Sequence, residues 1–138
     1  MFSNILVAVD GSEHSVRALE AGARLAQGEG AKLTVVTAAY VPQLYRVDLG
    51  DALEESFRDS AKMILEDAKR TLARLEIEAR TEMLEGQPGE AVASCARGGG
   101  YDLVVLGRRG FNSTQDKRLG GVSDAVLRGV DCSVMLVH

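Results

Sequence analysis

The chain has 138 residues, of which 46% are hydrophobic and 26% charged, and its net charge is −4. This length fits one domain, residues 1–138, with a real core. The acidic balance argues against a nucleic acid or a membrane surface as a partner, because both favour a basic face. No apolar run nears the ~20 residues that span a bilayer, and the start lacks a signal-peptide pattern. Cys95 and Cys132 lie far apart in the sequence and have no metal-ligand spacing. We therefore expect a reduced, cytoplasmic protein.

The first part of the chain predicts a strand, a helix and a second strand. Residues 5–9 (Ile-Leu-Val-Ala-Val) form a continuous apolar run, which is typical of a strand buried on both faces. Residues 10–12 break the run, and Ser12 can cap the helix that follows. That helix ends at residues 28–30 and is predicted from apolar residues at helical spacing, namely Val16, Leu19, Ala23 and Ala26. The β-branched residues 33–38 predict the second strand.

A loose stretch and a long helix follow. Residues 39 to about 50 include Pro42 and show little periodicity. The next residues place apolar side chains along one helical face, namely Leu53, Phe57, Ile64, Ala68, Leu72 and Leu75. We therefore predict an irregular connection up to about residue 50 and a helix from there to residue 75.

The rest of the chain alternates between strand and helix. Apolar and charged residues alternate over residues 77–83, which predicts a half-exposed strand at a sheet edge. Pro88 opens a helix that the glycines at 98–100 close. Residues 103–106 predict a buried strand. After a loop, a short helix ends near Gly129, and residues 133–137 form the last strand.

This alternation implies right-handed crossovers. We predict an α/β fold, a single-domain open parallel sheet of five strands with helices on both faces. Such sheets bind ligands beyond the carboxyl ends of their strands, where the strand order reverses. If the reversal lies between the first and fourth strands, Asp10 faces the loop after residue 106. Asp10 then either reaches a ribose hydroxyl or a divalent ion, or only stabilises its turn, and its position gives both roles equal weight.

The loop after the fourth strand predicts a phosphate-binding site. It runs as Gly107-x2-Gly110-x9-Gly120 between a strand and a helix. Glycines let the backbone approach an anion, and a helix N-terminus offers free N–H groups with a partial positive charge. The loop also carries more basic than acidic side chains, Arg108, Arg109, Lys117 and Arg118 against Asp116. That excess suits an anion, although each basic residue alone is better explained as a solvated charge.

The sequence contains no convincing catalytic motif. The loop lacks the lysine of a Walker A motif and does not match the GxGxxG fingerprint of dinucleotide folds. A GxSxG elbow of a serine hydrolase is also absent. We predict His14 on the surface, and we find no nucleophile, general base or metal cluster. The sequence therefore favours a binding protein over an enzyme.

The chain resembles the universal stress protein family along its whole length. The resemblance starts at residues 5–12, passes through residues 86–88 and ends at residues 132–137, and its most specific part is the GxxGx9G glycine spacing. It implies a role in the stress response and a Rossmann-like sheet of the adenine nucleotide alpha hydrolase-like type, with strand order 3-2-1-4-5. It also implies a homodimer through the last strand, Ser133–Val137, and pairing there protects an apolar sheet edge.

The resemblance further implies a bound ATP or AMP. The phosphates and ribose would meet residues of the loop and the following helix, namely Gly107, Arg109, Gly110, Gly120, Gly121, Val122 and Ser123. The nucleoside would lie along Ala8, Val9 and Asp10, and the adenine edge would meet the backbone of Ala38. With ATP, a Mg²⁺ ion carried by the nucleotide would lie near Asp10.

Gly121 departs from the family pattern, which has Ser or Thr after the third glycine. A hydrogen bond to a charged group is worth about 1.5–3 kcal/mol, so its loss predicts binding weaker by about tenfold or more. Ser123 can supply a hydroxyl instead. The intact glycine spacing favours a nucleotide-binding regulatory module over a nucleotide-free dimer that acts through protein contacts. The missing general base and Walker lysine favour it over a slow ATPase.

Overall fold

The computed structural model describes residues 1–40, 43–109 and 120–138. Strands and helices alternate along them. Their bounds are β1 Asn4–Ala8, α1 Glu13–Glu29, β2 Lys32–Ala39, α2 Gln43–Leu75, β3 Arg80–Glu85, α3 Pro88–Gly98, β4 Leu103–Gly107, α4 Gly121–Gly129 and β5 Ser133–Val137. None of the described helices is both long enough and apolar enough to cross a membrane.

The five strands form one parallel sheet in the order β3-β2-β1-β4-β5. This confirms the predicted fold class and strand order. β1 lies at the centre, where Ile5 pairs with Leu33 of β2 on one side and with Leu103 of β4 on the other. The chain therefore reverses its winding direction between β1 and β4, as a doubly wound sheet requires.

A hydrophobic core covers each face of the sheet. On one face, Ile5 and Val7 of β1 pack in a cluster with apolar residues of α1 and α2, among them Leu19 and Leu72. On the other face, Leu6 packs in a cluster with apolar residues of α3 and α4, namely Val92, Ala96 and Val126. Because successive side chains of a strand point to opposite faces, a strand covered on both sides must be apolar on both, as β1 is from Ile5 to Ala8.

Helix α2 begins at Gln43, so the prediction of an irregular connection up to about residue 50 was wrong. Pro42 is the last strong helix breaker in the sequence before this helix, and the following Gly50 costs a helix only about 1 kcal/mol. The strand predicted from residue 77 begins at Arg80. Ile77 belongs to the turn, since its N–H donates to the carbonyl oxygen of Leu72 at 3.0 Å and Glu76 has a φ of 58°.

Two apolar residues expected on buried helix faces are exposed, Val16 of α1 and Phe57 of α2. α1 contacts the sheet through a narrow stripe of smaller residues that includes Ala18, Gly22 and Ala23. Val16 lies outside that stripe. The spacing of apolar residues therefore predicted the helix correctly, but it assigned to the buried face a residue, Val16, that is exposed.

Candidate functional site

The predicted site residues gather where the winding of the sheet reverses. Ala8 pairs with Leu106, so Asp10 and Arg108 leave adjacent strand ends. The N–H of Val9 donates to the carbonyl oxygen of Val36 at 2.9 Å, so the end of β2 lies beside the end of β1. Ala38, near the end of β2, is half-buried. The expectation that the reversal lies between the first and fourth strands is confirmed. The side chain of Val9 is buried in the core, so only its backbone can reach a ligand.

Asp10 stabilises the turn between β1 and α1. Its Oδ1 accepts a hydrogen bond from the N–H of Ser12 at 2.9 Å, and its own N–H donates to Oγ of Ser15 at 3.3 Å. Ser12 caps α1, because its Oγ accepts from the N–H of Ser15 at 3.3 Å. The turn role is thus present, and the carboxylate is also exposed. Its contact with a ligand stays a prediction.

Gly107 is required by packing as well as by any ligand. A Cβ atom at this position would lie 2.7 Å from Cβ of His14 and 3.0 Å from the backbone nitrogen of Ser15. Real Cβ contacts are not that short, so only glycine lets the end of β4 touch the first turn of α1. The sequence assigned this glycine to anion approach and did not anticipate the helix contact.

The base of the glycine loop is closed by hydrogen bonds around Arg108. The Arg108 N–H donates to the carbonyl oxygen of Val137 at 2.8 Å, and its carbonyl oxygen accepts from the N–H of Gly120 at 3.1 Å. The hydroxyl of Ser123 donates to the carbonyl oxygens of Gly107 at 2.9 Å and Arg108 at 3.1 Å. Both ends of the loop are therefore fixed to each other and to the last strand.

The charged middle of the loop falls outside the described residues, and so does Gly110. That undescribed segment includes Asp116, Lys117 and Arg118. Arg109 lies at the edge of the described part and is half-buried. Arg109 has interactions with other groups, and its buried Nε atom donates no hydrogen bond to the described residues.

The start of α4 offers backbone donors to an anion. Gly120 is the N-cap residue and has extended backbone, with φ −65° and ψ 159°, and no side chain caps the helix there. The N–H groups of Gly121, Val122 and Ser123 have no acceptor within the helix. A Cβ atom at Gly121 would meet no atom of the described residues within 4 Å. Within the described part of the chain, this end of the helix is therefore open to a ligand.

Ser123 is buried, with a relative exposure of 2%. Its hydroxyl proton is engaged by the two loop carbonyls described above. Its oxygen can still accept a hydrogen bond, but it has no second proton for a phosphate. The structure thus gives Ser123 a loop-closing function, and its contact with a nucleotide stays a prediction.

The structure places His14 beside Gly107 at the base of the glycine loop, a contact that the sequence did not predict. His14 is the second residue of α1, and its Nδ1 atom is buried without a hydrogen-bond partner among the described residues. The prediction of a surface histidine is therefore wrong for this nitrogen. Nothing in the local sequence signals the burial, because it depends on β4 lying against the first turn of α1.

The described residues hold no group of three or more His, Cys, Asp or Glu side chains able to bind a metal ion. Both cysteines are free thiols. Burial raises the pKa of Cys95, with a further contribution from Glu82, and burial also raises the pKa of Cys132. Thiols of this kind are poor nucleophiles at neutral pH, which leaves the carboxyl edge of the sheet as the candidate site.

Comparisons with known proteins agree with this architecture. Residues 1–138 match the model of the Universal stress protein family. A universal stress protein of Thermus aquaticus is 38% identical over 146 residues, which cover 100% of both chains. The solved structure of the universal stress protein UspA from Lactobacillus plantarum has a TM-score of 0.87 at 24% identity, and the match covers 99% of this chain and 98% of that one. A universal stress protein solved in complex with cAMP has a TM-score of 0.77 at 27% identity, covering 99% and 97%.

Proposed function

Because the chain belongs to the universal stress protein family, we propose that it binds an adenine nucleotide, ATP or AMP, and acts as a regulatory module in the stress response. The observation that carries this proposal is the open start of α4 beside the ends of β1 and β4. There, among the described residues, the backbone donors of the first helical turn have no acceptor in the helix and a Cβ atom at Gly121 would have no neighbour within 4 Å, an arrangement that suits phosphate. The similar protein solved with cAMP supports an adenine ligand.

In this proposal the phosphates and ribose lie along the glycine loop and the first turn of α4. The residues that contact them are Gly107, Arg109, Gly110, Gly120, Gly121, Val122 and Ser123. The nucleoside lies along Ala8, Val9 and Asp10, and the adenine edge meets the backbone of Ala38. Its support is that β1, β2 and β4 are neighbours in the sheet and end at the same edge.

A Mg²⁺ ion fits this site only as part of a nucleotide complex. Mg²⁺ is commonly held by one or two carboxylates together with phosphate oxygens and waters. Asp10 is an exposed carboxylate at this edge, with Oδ1 already bound to the N–H of Ser12. We propose that Asp10 holds the ion directly or through water when ATP is bound.

We propose a binding function without efficient catalysis and a location in the cytoplasm. The loop has no Walker lysine. If the protein were a slow ATPase, it would release phosphate from ATP, and Asp10→Ala would abolish that release. We expect no such release. The two free thiols suit a reducing compartment.

We also propose a homodimer that pairs through β5. This strand lies at the edge of the sheet, and four of its apolar side chains are only half-buried, Val134, Met135, Leu136 and Val137. An unpaired apolar edge is prone to aggregation, and pairing with a second copy removes it. Light scattering after size exclusion should give twice the monomer mass. A dimer that binds no nucleotide would support the alternative function through protein contacts alone.

The main experiment measures nucleotide binding by titration calorimetry and analyses what native protein releases on denaturation. Gly121→Asp is the informative variant. The position is open, and an acidic residue at a helix start favours the helix, so the fold is retained while the new charge repels phosphate. We expect AMP and ATP affinity to fall by about tenfold or more.

Gly28→Asp is the matched control, because Gly28 is an equally open helical position near the other end of α1. It should bind as the natural protein does. If the natural protein releases no nucleotide and fails to bind millimolar AMP or ATP, the proposed function is wrong. If Gly121→Asp binds normally, the assigned site is wrong.

A further inference from the structure

We propose that His14 contacts the phosphate of the bound nucleotide and thereby distinguishes a nucleotide from its nucleoside. This inference rests on the proposed function and adds a residue that neither the glycine spacing nor the family resemblance identified. The evidence is the position of the side chain, an unpaired nitrogen in it, and the charge around it.

The side chain of His14 begins at the base of the glycine loop. A Cβ atom on Gly107 would lie 2.7 Å from Cβ of His14, so these two residues touch. Gly107 is the last residue of β4, and the loop continues from it through Arg108. The side chain of His14 therefore leaves the first turn of α1 next to Gly107, where the segment proposed to hold phosphate begins.

The Nδ1 atom of His14 has no hydrogen-bond partner within the described part of the chain. Native proteins leave few buried polar atoms unpaired, and each such atom calls for an explanation, such as an ion or ligand that completes the site. Because Nδ1 is buried, a bound nucleotide supplies that partner only after a half-turn of the ring, which exchanges Nδ1 with Cδ2. Without such a partner, the nitrogen would only destabilise the protein.

The surrounding charge favours an anion as the ligand group. The N-terminus of α1 gives a partial positive charge at His14, and the loop adds Arg108 and Arg109. Two acidic side chains on the adjoining segments oppose this charge, Asp10, which accepts from the N–H of Ser12, and Glu13, which lies 3.9 Å from Arg17. A phosphate oxygen that accepts from the imidazole N–H fits this environment better than a neutral ribose or base does.

The test compares AMP with adenosine by calorimetry in three variants of the full chain. His14→Phe keeps a ring without nitrogen, and we expect AMP affinity to fall by about tenfold or more while adenosine affinity is unchanged. His14→Asn places an amide nitrogen where Nδ1 lies, so it should keep most of the AMP affinity. His14→Gln extends its amide towards the position of Nε2 and should not restore binding.

Thermal unfolding without ligand separates this role from a structural one. His14→Phe removes an unpaired buried nitrogen, so its Tm should be equal to or above that of the natural protein. A clear loss of Tm together with equal losses for AMP and adenosine would overturn the inference, as would normal AMP binding by the folded variant. If the natural protein itself binds neither compound, the proposed function and this inference both fail. If the natural protein binds AMP and His14→Phe binds it more weakly, both the proposed function and the role of His14 are supported.

Discussion

At the scale of single residues, Ser123 holds the glycine loop closed. Its buried hydroxyl bonds two carbonyl oxygens at the start of the loop. We expect Ser123→Ala to lower the free energy of unfolding by about 1–3 kcal/mol, because the Gly107 carbonyl loses this donor, and to weaken AMP binding through a looser loop. Urea unfolding gives the first quantity. Ser94→Ala, at an exposed position of α3, is the control and should be nearly neutral.

Gly121 sets the strength of the proposed phosphate contact. Its side-chain position is open, so Gly121→Ser adds a hydroxyl without a clash. We expect AMP to bind about tenfold or more tightly, since the new bond is made to a charged group. Calorimetry measures the change, and Gly28→Ser controls for the general effect of replacing a helical glycine. Unchanged affinity in Gly121→Ser would mean that the phosphate lies elsewhere.

At the scale of elements, α1 approaches β1 so closely that a glycine is needed between them. A Cβ atom on Gly22 would lie 2.6 Å from Cγ2 of Val7, whereas Gly28 of the same helix has nothing within 4 Å. Gly22→Ala should therefore destabilise the protein by about 1–3 kcal/mol through overpacking. Gly28→Ala should stabilise it by about 0.5–1 kcal/mol through helix propensity. Chemical unfolding compares the two, and effects of the same sign would contradict this packing.

The sequence predicted the strands well because their patterns are physically simple. The apolar runs of the three central strands came within one residue of the observed β1, β2 and β4, since burial on both faces leaves few polar positions. The start of α2 was missed because a helix can pass through Gly50 at modest cost. The start of β3 was missed because the turn bond from Ile77 to Leu72 depends on how the helix ends.

The candidate site was predictable only where backbone chemistry marks the sequence. Glycine spacing and the strand order located Gly107, Gly120 and Asp10 at one edge of the sheet. The contact of Gly107 with His14, and the engagement of the Ser123 hydroxyl, depend on distances between α1, β4 and α4. A linear sequence does not contain such distances, so the roles of these side chains emerged only in the structure.

At the scale of the whole molecule, Asp102 joins the first strand to the fourth. Its Oδ2 accepts from the N–H and hydroxyl of Ser3 at 2.8 and 3.0 Å, and its Oδ1 accepts from the N–H of Asn4 at 3.0 Å. The backbone bonds from Ser3 and Asn4 are the main cause of the lowered pKa of this carboxyl. The bonds therefore stabilise the fold while the carboxylate is ionised.

The pH dependence of Asp102→Asn follows from this lowered pKa. The stabilisation is complete above the unfolded value of about 3.9 and is lost as pH falls through the lower folded value. We expect the variant to have a lower Tm than the natural protein at pH 7, with a difference that shrinks as pH falls below about 4. Asp131→Asn, at an exposed position, is the control. A Tm difference that grows on acidification would contradict the assignment.

The central position of β1 has a consequence for how the chain folds during synthesis. Ile5 of β1 pairs with Leu103 of β4. The apolar strand β1 is therefore synthesised long before β4, one of its two partners in the sheet. Such distant pairings slow folding and leave an unpaired edge exposed meanwhile. The candidate site lies at this late junction and takes α4 from beyond it. Binding at the proposed site would therefore require that both β1 and α4 have been synthesised and folded, and the proposed nucleotide binding would then serve as an assay for completed folding.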